Sequence, residues 1–200
     1  MNLKQNVLPS HLGLLIFILL LVFNIPTLAR SKIYLFNLPL PEISPAKITG
    51  KTLLVSMPKA APGFNTQALV STKNGYEIKF DFDNQWIDTP AQMLLPWLVY
   101  YLEATGQFRA VLSATTVPIV AELRLDTEIL CLQQDISTEP NQVHLVLRAQ
   151  LFDMTERQVQ ATKIFQEWVN LPFKAPEGSV IATNTALERI LKKLTQFVIE

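Results

Sequence analysis

Three long segments in the second half of the chain alternate apolar and polar residues with a period of two. They cover residues 120–138, 141–155 and 158–171. A period of two over more than ten residues predicts β-strands with one buried face and one solvated face. The middle segment has an apolar set and a polar set: Val143, Leu145, Leu147, Ala149 and Leu151 against His144, Arg148 and Gln150. The reversals "STEPN" and "MTERQ" between the segments predict an antiparallel meander.

Shorter apolar runs predict additional strands in the first half. They lie at residues 33–38, 52–58, 68–72, 76–82 and 108–113. The third and fourth runs are joined through Asn74-Gly75, a dipeptide that favours a tight hairpin turn. Prolines at positions 39, 41 and 45 follow the first run, so the segment up to residue 50 is predicted to be an extended tether.

Two segments show helical periodicity instead. The first starts at Asp88 or Thr89, whose side chain can cap the helix, carries Pro90 in its first turn, and stops near Gly106. Pro96 inside it predicts a kink, or a break into a short turn and a longer helix. The second covers residues 179–200, with an apolar stripe opposite Glu188, Arg189, Lys192 and Lys193.

These elements predict a mixed α/β (α+β) domain, in which a single mixed, largely antiparallel sheet is flanked by two main helices. The predicted organisation is an export segment at 1–30, a strand and proline-rich tether at 31–50, and the domain at 51–200.

The N-terminal segment is typical of export. Lys4 precedes an unbroken apolar run that ends near Asn24 and Pro26, and Thr27 and Ala29 fit a cleavage site before Arg30. Residues 12–29 also reach the lower limit for crossing a bilayer, so an uncleaved anchor is the alternative. Both alternatives place residues 31–200 outside the cytoplasm.

Composition excludes several classes of protein and of site. The 17 Lys+Arg residues balance the 17 Asp+Glu residues, whereas nucleic-acid-binding domains are usually basic. One cysteine cannot form an internal disulfide, and with two histidines it cannot complete a four-ligand zinc site. No cofactor is predicted.

The residues that could carry chemistry have simpler structural explanations. His144 is predicted on the wet face of its strand, and Cys131 has no neighbouring base along the sequence. Asp81, Asp83 and Asp88 lack the glycine and closing glutamate of a calcium loop. Asp126 and Glu128 share one predicted face, which is expected to be solvated. The chain is therefore predicted not to be an enzyme.

The first helix and its lead-in are unusual because they carry aromatic residues away from the sheet-facing side. The sheet-facing side is formed by Ala91, Leu94, Leu95, Leu98 and Leu102. The aromatic residues Trp86, Trp97, Tyr100 and Tyr101 lie outside it. A second apolar side indicates additional burial, either in the core or at an interface with a protein or lipid.

The order of these elements resembles the ABC-type transport auxiliary lipoprotein family. Three motifs carry the resemblance: Trp86 with Pro90 before the helix, Gly106 with Phe108 and Val111 after it, and "LRAQLFD" from Leu147 to Asp153. The similarity covers roughly residues 33–199. The resemblance implies a non-enzymatic periplasmic subunit of an intermembrane lipid transport system, with an ATPase, a permease and an MCE-domain conduit as partners.

The resemblance also implies docking on the conduit, as a monomer or as a homo-oligomer, with Trp86, Trp97, Tyr100 and Tyr101 as the candidate contact. A shuttle that binds a lipid or small apolar ligand itself is the alternative function. One departure is clear, because Leu28-Ala29-Arg30-Ser31 stands where the family has its acylated cysteine. Lipidation there is impossible, so the protein is expected either to keep residues 12–29 as an inner-membrane anchor or to be soluble in the periplasm.

Overall fold

A computed structural model describes residues 31–47, 49–113 and 120–200, which form one compact unit from Ser31 to Glu200. The predicted signal or anchor at residues 1–30 lies outside the described residues. Within the described ranges the chain forms nine strands and two helices: β1 Lys32–Tyr34, β2 Thr52–Val55, β3 Lys59–Ala60, β4 Ala68–Lys73, β5 Glu77–Trp86, α1 Pro90–Ala104, β6 Ala110–Ser113, β7 Leu123–Asp135, β8 Gln142–Asp153, β9 Gln158–Asn170 and α2 Pro176–Ile199.

The three alternating segments form the predicted meander. β7 pairs with β8 and β8 pairs with β9, both antiparallel. On β8 the five predicted apolar residues are buried, whereas His144, Arg148 and Gln150 are only partly covered. The period of two therefore identified both the strands and the face that enters the core.

The other edge of β7 receives three strands in parallel, which makes the sheet mixed. β2, β3 and β4 pair with successive parts of β7, and β6, β5 and β1 extend the sheet outward from them. β4 and β5 form the predicted antiparallel hairpin, in which Asn74 (φ 57°) and Gly75 (φ 77°) both adopt left-handed backbone. The predicted fold class is confirmed.

Both helices lie on one face of the sheet and bury it. The core joins apolar residues of β7 and β8 to the inner faces of the helices; its fully buried members include Leu94, Leu98, Leu102, Leu125, Leu147, Ile190, Leu191 and Leu194. The opposite face of the sheet has no helix among the described residues. In the part of the chain that the structure describes, neither helix combines the length and hydropathy needed to cross a bilayer.

Of the two alternatives predicted at Pro96, the break does not occur, because α1 is one element from Pro90 to Ala104. The first strand ends at Tyr34 rather than residue 38, because β5 offers it partners only from Asn84 to Trp86. Beyond that point the Phe36 and Leu38 side chains are buried in the core, and the chain no longer continues the sheet.

Candidate partner-binding site

The start of α1 is held by its lead-in rather than by a side-chain cap. Thr89 is the N-cap residue and Pro90 opens the first turn, but the Thr89 side chain makes no capping hydrogen bond. The Asp88 side chain does not cap the first turn of the helix either. Its Oδ1 accepts the main-chain N–H of Thr89, the residue before the helix, at 2.7 Å. The position of the helix start was predicted correctly, and the capping contact was not.

The second apolar side of α1 is covered by residues 35–47 of the same chain, here called the strap. The Tyr101 hydroxyl donates to the Pro39 carbonyl oxygen at 2.9 Å. The Phe36 ring meets Trp86 edge to face, with centroids 5.1 Å apart. Both Trp86 and Tyr101 are only 4% exposed. The segment predicted as a tether therefore lies against the domain.

The strap also satisfies the carbonyl end of α1, where the last turn leaves acceptors without partners inside the helix. The main-chain N–H of Ser44 donates to Ala104 O and that of Lys47 donates to Gly106 O, both at 3.0 Å. Gly106 has φ 65°, and a Cβ built on it would lie 2.5 Å from Pro45 O. Glycine is needed there for its backbone conformation and for the approach of the strap.

The outer edge of the strap and α1 enclose an open cleft of about 330 Å³. Its walls are mainly apolar and include Ile43, Pro45, Tyr100, Phe108 and Val111. Glu103 and Arg109 place charges at the same cleft. Large apolar side chains beside a cleft, with a few charges around them, are typical of protein interfaces.

The four aromatic residues predicted for an interface divide into two pairs. Trp86 and Tyr101 are buried under the strap, and burial raises the pKa of the Tyr101 hydroxyl. Trp97 and Tyr100 are half-buried, pack on the core with part of each ring and keep surface exposed. Only Trp97 and Tyr100 can contact a partner without displacement of the strap. Ile43, which the sequence did not single out, adds exposed apolar surface beside Tyr100.

The helix-free face of β7 and β8 carries a polar cleft of about 300 Å³. Arg148 lies 2.5 Å from Glu128, and Arg124 lies 3.1 Å from Asp126. The Ser56 hydroxyl donates to Asp126 at 2.6 Å. Asp126 and Glu128 therefore share one face, as predicted. Asp126 is paired with Arg124 and the Ser56 hydroxyl, and Glu128 is paired with Arg148.

Cys131 and His144 come together across the β7–β8 ladder, a contact that the sequence did not predict. The thiol lies 3.6 Å from His144 Nδ1, and the imidazole stacks on Trp168 with centroids 3.7 Å apart. Burial raises the pKa of Cys131 to about 11 and lowers the pKa of His144. Both groups are neutral near pH 7, so the thiol is not activated by the imidazole.

The raised thiol pKa predicts a loss of stability at high pH. In the unfolded chain the thiol ionises near its ordinary pKa of 9.0, whereas in the folded chain it stays protonated up to about pH 11. The stabilisation is present below pH 9 and is lost as the pH rises through 11, because the unfolded state releases its proton first. Denaturant titrations at pH values from 8 to 11 measure how steeply the free energy of unfolding falls with pH. The Cys131→Ser variant should show a shallower slope, and equal slopes would contradict the assignment.

The aspartates considered as a weak calcium motif make local backbone contacts. Asp81 Oδ1 accepts the main-chain N–H groups of Asp83 and Asn84 at 3.0 and 3.2 Å. Asp88 binds Thr89 as described above. These contacts shape the irregular part of β5 before Trp86, where the β4–β5 register shifts.

Among the described residues, the core cavity offers little room for an apolar ligand. A cavity in the core, lined by Phe36, Leu94, Ile129, Leu147 and Leu187 among others, has a volume of about 10 Å³. That is about the space of one water molecule, whereas ligand sites usually measure several hundred Å³. This cavity cannot hold an acyl chain.

Comparison with known proteins gives a family and a fold. The model of the family described as "ABC-type transport auxiliary lipoprotein component" matches residues 34–195. A solved protein from Xanthomonas campestris is 18% identical, covering 84% of this chain and 95% of that one at a TM-score of 0.75. A second solved structure, described as an uncharacterized protein, is 12% identical. It covers 84% of this chain and 98% of that one, at a TM-score of 0.66. No curated protein matches the sequence.

Proposed function

The chain belongs to the family of ABC-type transport auxiliary lipoprotein components, and from this membership we propose that it is a non-enzymatic subunit of an intermembrane lipid transporter. It docks on the MCE-domain conduit that works with the ABC permease and ATPase. The domain works on the periplasmic side of the cell envelope, inner-membrane anchored through residues 12–29 or soluble after cleavage. It acts as a monomer or as a homo-oligomer.

The observation that carries the docking proposal is the apolar surface around the strap cleft. Ile43 is 69% exposed on the strap, and Tyr100 lines the same cleft. The strap is fixed to α1 by main-chain hydrogen bonds, so this surface is already formed before a partner arrives. A rigid apolar surface loses little conformational entropy on binding, which favours affinity.

The competing proposal, a shuttle that encloses a lipid, has less support. It requires an apolar cavity large enough for an acyl chain, and the core cavity of about 10 Å³ does not meet that requirement.

The docking proposal predicts that Tyr100→Ala and Ile43→Asp each lower partner recovery. A tagged full-length protein is purified from detergent-solubilised membranes, and the eluate is analysed by mass spectrometry. We expect an MCE-domain protein and its permease with the wild type, and about tenfold less with each variant, as for an interface residue worth roughly 1.4 kcal/mol.

Ile181→Asp is the matched control, because Ile181 is also an exposed isoleucine (47%) but lies on α2 and outside the strap cleft. Its partner recovery should equal that of the wild type, and all variants should melt cooperatively. Undiminished recovery with Tyr100→Ala and Ile43→Asp would reject the cleft as the contact. Elution of the wild type without transporter subunits would reject the proposed function.

A further inference from the structure

A second apolar surface lies on the opposite, helix-free side of the sheet. It is formed by Ile33 and Leu35 at the start of the described chain and by Phe80, Phe82 and Ile87 around β5. These five residues are here called the β1–β5 face. Ile33 and Phe82 are each 65% exposed, and Ile87 is 58% exposed.

The strand alternation on β1 shows that this face points away from the helices. Lys32 Nζ donates to Glu177 Oε1 of α2 at 2.8 Å, and the Tyr34 hydroxyl donates to the same oxygen at 3.2 Å. Because neighbouring residues of a strand point to opposite faces, Ile33 and Leu35 point the other way.

The β5 side chains follow the same rule. Leu69 is a core residue and pairs with Asp81, so the neighbouring residue Phe80 lies on the opposite face. The Phe82 ring lies beside it, with centroids 6.2 Å apart. Trp86 is buried in the core, so Ile87 also turns outward.

Together the five side chains expose apolar area on the order of 500 Å², which is the size of the largest apolar patches on monomeric proteins and often marks a binding surface. The same side of β7 and β8 instead carries the paired charges of Arg124, Asp126, Glu128 and Arg148. These charges on β7 and β8 separate the apolar residues of β1 and β5 from Ile164 and Trp168, which β9 exposes on the same side.

The position of the face along the chain indicates what covers it. The candidate membrane span, residues 12–29, ends four residues before Ile33, and four extended residues reach at most about 14 Å. If residues 12–29 stay in the bilayer, Ile33 cannot lie far from the lipid surface. Large aliphatic and aromatic side chains are the residues that enter the boundary between headgroups and acyl chains.

We infer that the β1–β5 face rests on the lipid bilayer from which the N-terminal segment emerges. The inference rests on the proposed envelope location and on retention of residues 12–29, and it assigns the strap cleft and the β1–β5 face to different partners. Exposed Lys73 and Lys79 are balanced by exposed Glu77 and Asp83 near the face. The contact is therefore apolar and does not require anionic lipid.

The test uses the full-length chain in phosphatidylcholine vesicles that contain nitroxide-labelled acyl chains. Phe82→Cys, Ile87→Cys and Ile181→Cys are each made in a Cys131→Ser background and labelled with an environment-sensitive fluorophore. We expect about twofold or greater quenching at positions 82 and 87, because side chains at the acyl boundary lie within about 10 Å of the quencher. The label at Ile181, on the helix side, should keep its fluorescence.

Three results would overturn the inference. The first is no quenching at 82 and 87 while the N-terminal peptide is present by mass spectrometry. The second is equal quenching at all three positions. The third is that a second copy of the chain, and not lipid, covers the labels at positions 82 and 87. The proposed function is judged separately: missing transporter subunits with positions 82 and 87 quenched would reject docking alone, and the reverse pattern would reject the membrane contact alone.

Discussion

We expect Trp86→Ala to lower the free energy of unfolding by about 4 kcal/mol, the usual cost of removing a buried tryptophan side chain. The indole is 4% exposed and meets Phe36 edge to face. The main-chain N–H of Trp86 donates to Gln67 O at 2.7 Å, and the substitution keeps that bond. The loss therefore reports the side chain, which joins the strap to β5.

Denaturant unfolding of the two variants Trp86→Ala and Trp97→Ala measures this difference. Trp97 is half-buried and is the matched control, since its truncation leaves a smaller cavity and should cost about 1–2 kcal/mol. If Trp86→Ala unfolds like the wild type and loses its transport partners instead, Trp86 belongs to an interface and its assignment to the core is wrong.

Gly106→Ala should destabilise the protein by about 3 kcal/mol, because backbone strain and a steric clash add together. A side chain at φ 65° costs about 1 kcal/mol or more in backbone strain. The added Cβ would also lie 2.5 Å from Pro45 O and 2.9 Å from Ser44 Cβ, so the strap must shift. A shifted strap weakens the hydrogen bonds that Ser44 and Lys47 donate to the end of α1.

Gly75→Ala separates the strain from the clash. Gly75 has φ 77°, and a Cβ added there would meet no described atom within 4 Å, so its substitution should cost only the strain of about 1 kcal/mol. Limited proteolysis adds a direct measurement of the strap, which Gly106→Ala should expose to cleavage and Gly75→Ala should not. Equal stability of the two variants would mean that the strap does not hold the position the structure gives it.

The alternating segments were predictable because each residue's side follows from its position in the strand. Val143, Leu145 and Leu147 enter the core as the pattern indicated. The hairpin at Asn74-Gly75 was predictable for a similar reason, since the turn requires two left-handed residues in succession.

The candidate site was only partly predictable. The aromatic residues around α1 were found from the sequence, because a second apolar side is visible in the helical pattern. Which of them stay exposed depends on the strap, whose contacts with α1 join residues far apart in the chain, as in the bond from Tyr101 to Pro39. The proximity of Cys131 to His144 likewise depends on the bulge and register of the β7–β8 ladder.

The strands of the meander, the two helices and the mixed fold class could be predicted from the sequence, because local periodicity and turn chemistry act between residues close in the chain. The resemblance to a transport auxiliary family came separately, from its motifs. Three features became visible only in the folded chain: the proline-rich segment covers α1, Trp86 and Tyr101 are core residues, and Ile33 and Phe82 share an exposed face. Burial depends on which distant segments pack together, and here β1 and the strap cover one surface and leave another open.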